Sequence, residues 1–267
     1  MNFFPYLRWI YVEKHIHVAL AVTAFTVITV KEFSLQIPFT LWVVIFTGTF
    51  LSYNFISHFK SRRFRIIKWD ILCYGLACLS LFYLISHFSL LTILTLILMG
   101  LMTFLYVVPL RHGRNLRSVS GWKAFLVAFV WAGVTVLLPL ETSTNTEWTT
   151  GVALTSIQRF IIVLVLLIPF EIRDVVTDSP HLKTLPQLFG IRRTKQIGYG
   201  GILVCVLLEF VKFPIQEAHA VSLMVFLIFL GLSIYMTDVK QSRYFASFWV
   251  EALPIGWWLL FELISSL

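Results

Sequence analysis

Charge is scarce in this chain of 267 residues. Only 13% of positions are Asp, Glu, Lys or Arg, against roughly 25% in soluble domains. Because 58% are hydrophobic and the mean hydropathy is +0.86, a soluble domain is excluded and an integral membrane protein is expected. Cysteine is nearly absent: Cys73, Cys78 and Cys205 each sit in an apolar run without CxxC or Cys/His spacing. A disulfide framework and a zinc site therefore have no support. The histidines form no HExxH pair. Strict apolar/polar alternation, which a transmembrane barrel needs, is missing, so the spans are helical. No small-residue cleavage site follows the first apolar run near Ile16, which is expected to stay as a helix.

A helix crossing the bilayer needs about 20 mostly apolar residues. On that template the chain divides into nine spans, at roughly 15–30, 37–58, 68–87, 89–109, 123–140, 157–175, 197–213, 219–238 and 246–265. Lysine and arginine set the orientation, since they concentrate in cytoplasmic loops. With the N-terminus inside, all of the 21 bases except Lys31, Arg159 and Lys212 fall on the cytoplasmic side. The expected topology is multi-pass, with a cytoplasmic N-terminus and the C-terminus opposite. That placement also explains the net charge of +8 without nucleic acid. The longest outer loop, ETSTNTEWTTG, reads as a solvated connector.

Against this background the stretch FEIRDVVTDSPHLKTLPQLFG, residues 170 to 190, stands out. Glu171, Asp174 and Asp178 recur at i, i+3 and i+7, within roughly a 60° arc of a helix. Three acids on one face repel one another at the membrane boundary. A hard cation such as magnesium would relieve that, taking carboxylate oxygens and completing its shell with water and phosphate; a surface helix end with Arg173 and nearby lysines as counterions is the plainer reading. The loops on the same side supply bases suited to a phosphate-rich ligand: Lys183, Arg192 and Lys195, Arg62 and Arg63, Arg111 and Arg114. Two further acids, Asp70 and Glu251, lie near the same ends of the third and ninth spans. An intramembrane carboxylate is a functional candidate by default, with Lys68 or Arg243 as the ordinary partners.

Residues 169 to 190 resemble the second aspartate-rich motif of the UbiA superfamily of intramembrane prenyltransferases: Glu171, Asp174 and Asp178, followed by Lys183, Thr184, Leu185, Pro186 and Gly190. The stretch FLYVVPLRHGRNLRSVSGWKAFLVAFVWA, residues 104 to 132, is similar to the family's segment between its fourth and fifth helices. The resemblance implies an all-α fold of nine transmembrane helices around a central apolar cavity. Residues 1–267 would form one domain, with helices 1–4 and 5–8 as related bundles and helix 9 added. It also implies transfer of an isoprenoid from a prenyl diphosphate to a lipophilic, typically aromatic, acceptor, with magnesium held between two acidic motifs.

The first motif departs from that pattern. Its stretch is NFISHFKSR, residues 54 to 62: Asn54 is kept, but Phe55, His58 and Arg62 stand at the three aspartate positions. One magnesium ion rather than two is therefore expected, on Glu171, Asp174 and Asp178. The resemblance makes Asp174, Asp178 and Arg62 the catalytic candidates. Asn54, His58, Arg111, Lys183 and Arg192 are the substrate-binding candidates. Two readings stay open: a prenyltransferase in which arginine replaces a metal ion, and a catalytically inactive relative serving as a lipid-binding or scaffold subunit. Both have membrane lipid as a partner and neither has nucleic acid.

Overall fold

The computed structural model describes residues 9–60, 74–75, 78–79, 81–83, 87–108, 121–145, 148–212, 215–242 and 244–267. Among them there is no strand. Helix α1 is Ile16–Glu32, α2 Phe39–Lys60 and α3 Leu90–Val107. Further spans are α4 Trp122–Thr142, α5 Thr150–Asp174, α6 Leu185–Val211, α7 Glu217–Met236 and α8 Phe245–Ser265. Apart from α1, which has 17 residues, and allowing α2 its first 19, all seven are long and apolar enough to cross a membrane. These helices match eight of the nine expected spans. The third, 68–87, falls largely outside the described residues.

Two helices begin well before the apolar pattern predicts. Helix α5 starts at Thr150 rather than near 157, because its polar first turns find partners on other helices: Thr155 Oγ1 donates to Glu32 (2.7 Å) and Arg159 Nη1 to the Phe25 carbonyl (2.8 Å). Helix α6 starts at Leu185 rather than near 197. Thr184 and Gln187 form a reciprocal capping box there, and Pro186 sits in the first turn, where its missing N–H is harmless. Gly190, at φ 75° and ψ 163°, then breaks the helical path, a backbone state that favours glycine. Two spans carry π-helical segments, Gly133–Leu137 in α4 and Phe245–Val250 in α8. Each precedes a proline, Pro139 or Pro254, whose ring and missing N–H disturb the ordinary ladder.

The helices close a ring, each packed on the next and α8 back on α1. Lipid replaces water as the solvent, so the outward face is apolar: Leu91, Leu94, Leu98 and Leu101 of α3 are all exposed along one stripe. Inside, Phe25 meets Trp131, Phe226 and Trp257 edge-on at 6.0, 6.4 and 6.0 Å. This aromatic centre joins α1, α4, α7 and α8. The bundle thus has two ends: one where α5 passes into α6, which we call the motif end, and a far end where α1 finishes.

Candidate active site

At the motif end the regular part of α5 stops at Asp174, and one further turn carries the chain to Asp178, whose N–H donates to the Asp174 carbonyl at 2.7 Å. Glu171 is buried, and its Oε2 accepts from the Leu185 N–H at 3.3 Å. That carboxylate faces the first turn of α6, where free N–H groups favour negative charge. Asp174 takes a forked pair of bonds from Arg173, Nε at 2.7 Å and Nη2 at 3.1 Å. Asp178 accepts from Lys123 Nζ at 2.6 Å. Gln187 ties the turn together, donating to the carbonyls of Asp178 and Ser179 at 3.2 and 3.3 Å. A backbone bond from Gly121 to the Leu182 carbonyl, 2.9 Å long, brings the start of α4 and hence Lys123 alongside.

These groups border a cavity of about 570 Å³. Glu171, Arg173 and Asp174 line one wall, Lys123 of α4 the next, Tyr53 and Ser57 of α2 another, and Glu251 of α8 closes it. A second cavity, about 360 Å³ and almost wholly apolar, lies among α1 to α4 against residues such as Val44, Ile45, Leu96 and Met102. The two share Tyr53, Ile56, Tyr106, Val127 and Trp131 as lining. At this junction Trp131 Nε1 donates to the Tyr53 hydroxyl at 3.0 Å. Both volumes fall in the range of ordinary ligand sites, roughly 300–1,000 Å³.

The sequence candidates separate into four groups. Glu171 and Asp174 line the cavity, and Asp178 is linked to it through Lys123. Lys183 and Arg192 are exposed and stand outside its lining. Arg62 and Arg111 lie outside the described residues, as does the side chain of His58. Asn54 is buried but does not line the cavity: its amide donates to the carbonyls of Lys14 (3.0 Å) and Phe50 (2.8 Å), and its oxygen accepts from Tyr74 (3.2 Å). Among the described residues, Lys123 and Arg173 are the lysine and arginine that border the cavity; the sequence offers Arg173 only as a counterion and does not single out Lys123 as a site residue. The signal for Lys123 is its place in the first turn of α4, opposite an acid-rich turn.

Among the described residues no three Asp, Glu, His or Cys side chains are already gathered as metal ligands. The donor chemistry of the α5 wall nonetheless fits one hard cation, which Glu171 and Asp174 would hold, with Asp178 joining them only if Lys123 gave it up. A second ion has no fit on α2, whose cavity-lining residues Tyr53, Ile56 and Ser57 include no carboxylate.

Comparison with solved structures decides the architecture. A UbiA homologue from Archaeoglobus fulgidus bound to Cd2+ superposes with a TM-score of 0.68 at 11% identity, covering 97% of this chain and 100% of that one. The chain has the UbiA fold. The Archaeoglobus homologue bound to GPP and Mg2+ gives a TM-score of 0.66 at 11% identity, over 97% of this chain and 100% of that one. An apo UbiA homologue from Aeropyrum pernix K1 gives 0.67 at 12% identity, over 96% and 99%. No protein-family model matches the sequence, and no curated protein matches it. The UbiA architecture is thus kept at an identity where sequence similarity has almost vanished.

Proposed function

We propose that this protein is a UbiA-type intramembrane prenyltransferase, transferring an isoprenoid from a prenyl diphosphate to a lipophilic acceptor. The observation that carries this reading is the pair of adjoining cavities, one lined with acids and bases and the other apolar. A diphosphate head suits the first and a hydrocarbon chain the second. GPP and DMAPP occupy homologues of the same fold, and the chemistry of the lining here is suited to such ligands.

In this reading Lys123 and Arg173 exchange their carboxylate partners for diphosphate oxygens, Arg173 in forked geometry. One magnesium ion held by Glu171, Asp174 and Asp178 supplies further charge neutralisation. The family resemblance alone makes Arg62, His58 and Arg111 head-group contacts, Asn54 is held by the Lys14 and Phe50 carbonyls at the end of α2, and Lys183 and Arg192 act from the surface as attracting charge. As the prenyl C1–O bond breaks, fixed positive groups meet the charge that develops on the diphosphate. Tyr53, Tyr106 and Trp131 at the junction offer aromatic faces to the allylic cation. The positive-inside distribution supports a cytoplasmic mouth.

The test is binding of labelled geranyl diphosphate to the purified protein in detergent, with and without magnesium, beside Asp174→Asn. Magnesium-dependent binding that the variant loses is the expected result. Equal binding by the variant would overturn the site. A second reading, an inactive lipid-binding relative, is favoured by the engagement of both Asn54 amide hydrogens in backbone bonds. It predicts no release of diphosphate under any of these conditions.

A further inference from the structure

The depth of the apolar cavity sets the length of the chain it can hold. Along α3 its lining runs from Tyr106, at the junction with the acid-lined cavity, to Ile93, and along α2 from Tyr53 to Val44. At the helical rise of about 1.5 Å per residue these stretches are roughly 20 Å and roughly 14 Å long. An isoprene unit adds four carbon–carbon bonds of about 1.5 Å each, roughly 5 Å of extended zigzag. A geranyl tail, with two units, reaches only part of the way. Met99 stands near that point, roughly 10 Å beyond Tyr106 on the same helix. Its side chain is buried, lines the cavity and rests on Gly133, which opens the π-helical segment of α4 and is itself no part of the lining. A Cβ on Gly133 would meet Met99 Sδ at 2.6 Å and Cε at 2.7 Å. Glycine therefore lets the thioether lie against the α4 backbone, and a side chain there would tip the flexible methionine the other way, into the cavity.

We infer that the donor carries three or four isoprene units, as in farnesyl or geranylgeranyl diphosphate, and that Met99, seated on Gly133, is the residue that keeps the passage open beyond the second unit. The inference rests on the prenyl-transfer reading above and adds the length of the donor to it. Each unit buried among apolar side chains strengthens binding, until the described lining ends at Val44, Ile93 and Leu138. A unit beyond that point stays in lipid or detergent and gains nothing. Met99 thus fixes the length that is accepted without touching the diphosphate or the bond that breaks.

The experiment measures binding of geranyl, farnesyl, geranylgeranyl and nine-unit solanesyl diphosphates, with magnesium, to the full-length protein in detergent. The chains compared are the native one, Gly133→Ala, and Gly133→Ala combined with Met99→Ala. Native protein is expected to bind the farnesyl and geranylgeranyl compounds at least about tenfold more tightly than the geranyl one, the low end of what a filled apolar pocket gains per added carbon. Solanesyl brings no further gain. Gly133→Ala erases that advantage while keeping geranyl binding, which shows that it is folded. Adding Met99→Ala restores the advantage by removing the side chain that was tipped inward. Partition of the longer compounds into detergent is the same for every chain and cancels in the comparison. Native affinity that does not rise beyond geranyl or keeps rising to solanesyl, an advantage that Gly133→Ala leaves unchanged, or one that Met99→Ala fails to restore overturns the inference and leaves the diphosphate site standing. Failure of the native chain to bind any of the four compounds overturns both.

Discussion

The two ends of the bundle use the same kinds of side chain to opposite effect. At the far end Lys212 is held by Glu32 at 2.8 Å and Glu209 at 2.9 Å, and also donates to Gln158 at 2.8 Å. His219 Nδ1 lies 2.9 Å from Glu209 Oε1, and Arg159 stacks over Phe25 at 4.3 Å while bonding the Phe25 carbonyl. The side chains of all these residues are buried, and none lines either cavity described above. At the motif end Lys123 is also paired with Asp178 and Arg173 with Asp174, yet both cations border open volume. Charge closed on itself holds helices together; charge beside a cavity is available to a ligand. Burial and pairing do not reveal function until the neighbouring space is known.

The comparison is broken most directly by Lys212→Ala. It removes the ammonium between Glu32 and Glu209, leaving Glu32 with Thr155 and Glu209 with Gln158 and His219, a loss of about 3 kcal/mol. Thermal unfolding in detergent should show the largest drop in midpoint of any variant here, with geranyl diphosphate binding per folded molecule unchanged. Lys123→Ala should do the reverse. It takes a cation from the cavity, so geranyl diphosphate affinity falls by about tenfold, the scale of a charge-assisted bond, while thermal stability moves much less than in Lys212→Ala. If the two variants were equivalent in both measurements, the contrast between the ends would fail.

Packing between the ends can be probed without charge. A Cβ at Gly198 would come within 2.7 Å of Ile168 Cδ1 and 2.9 Å of Ile234 Cδ1. Gly198→Ala should therefore destabilise by about 1 kcal/mol as the two isoleucine Cδ1 methyls are forced aside, read by the same unfolding assay. The smallest effect belongs to Lys31→Ala. Its partner Glu262 is also substantially exposed, with 34% and 40% of the two side chains accessible, and a bridge of that kind contributes about 0–1 kcal/mol. A larger loss would mean that the far-end network reaches the surface.

Much of the fold was legible in the sequence because lipid imposes a coarse rule. Runs such as Leu90–Val107 show themselves by length and hydropathy. The rule failed at Thr150–Arg159 and Leu185–Gly190, where polar residues form helix because distant partners or a capping box satisfy them. In the site, the spacing of Glu171, Asp174 and Asp178 identified the acid-rich turn. It did not identify Lys123, 55 residues away from Asp178 in sequence, as the partner of that turn. Nor did it separate Lys183 and Arg192, which stand outside the cavity lining, from Arg173, which lies within it.

The sequence by itself determined the solvent of this protein, the order of its spans and the position of its acid-rich turn, since each depends on residues close together along the chain. Only the tertiary structure decided which charges are sealed and which face a cavity. Arg159 reaches the Phe25 carbonyl across 134 positions and Lys212 reaches Glu32 across 180. The fate of a charged side chain in a membrane is set by the groups and the space around it, and helices far apart in sequence supply both.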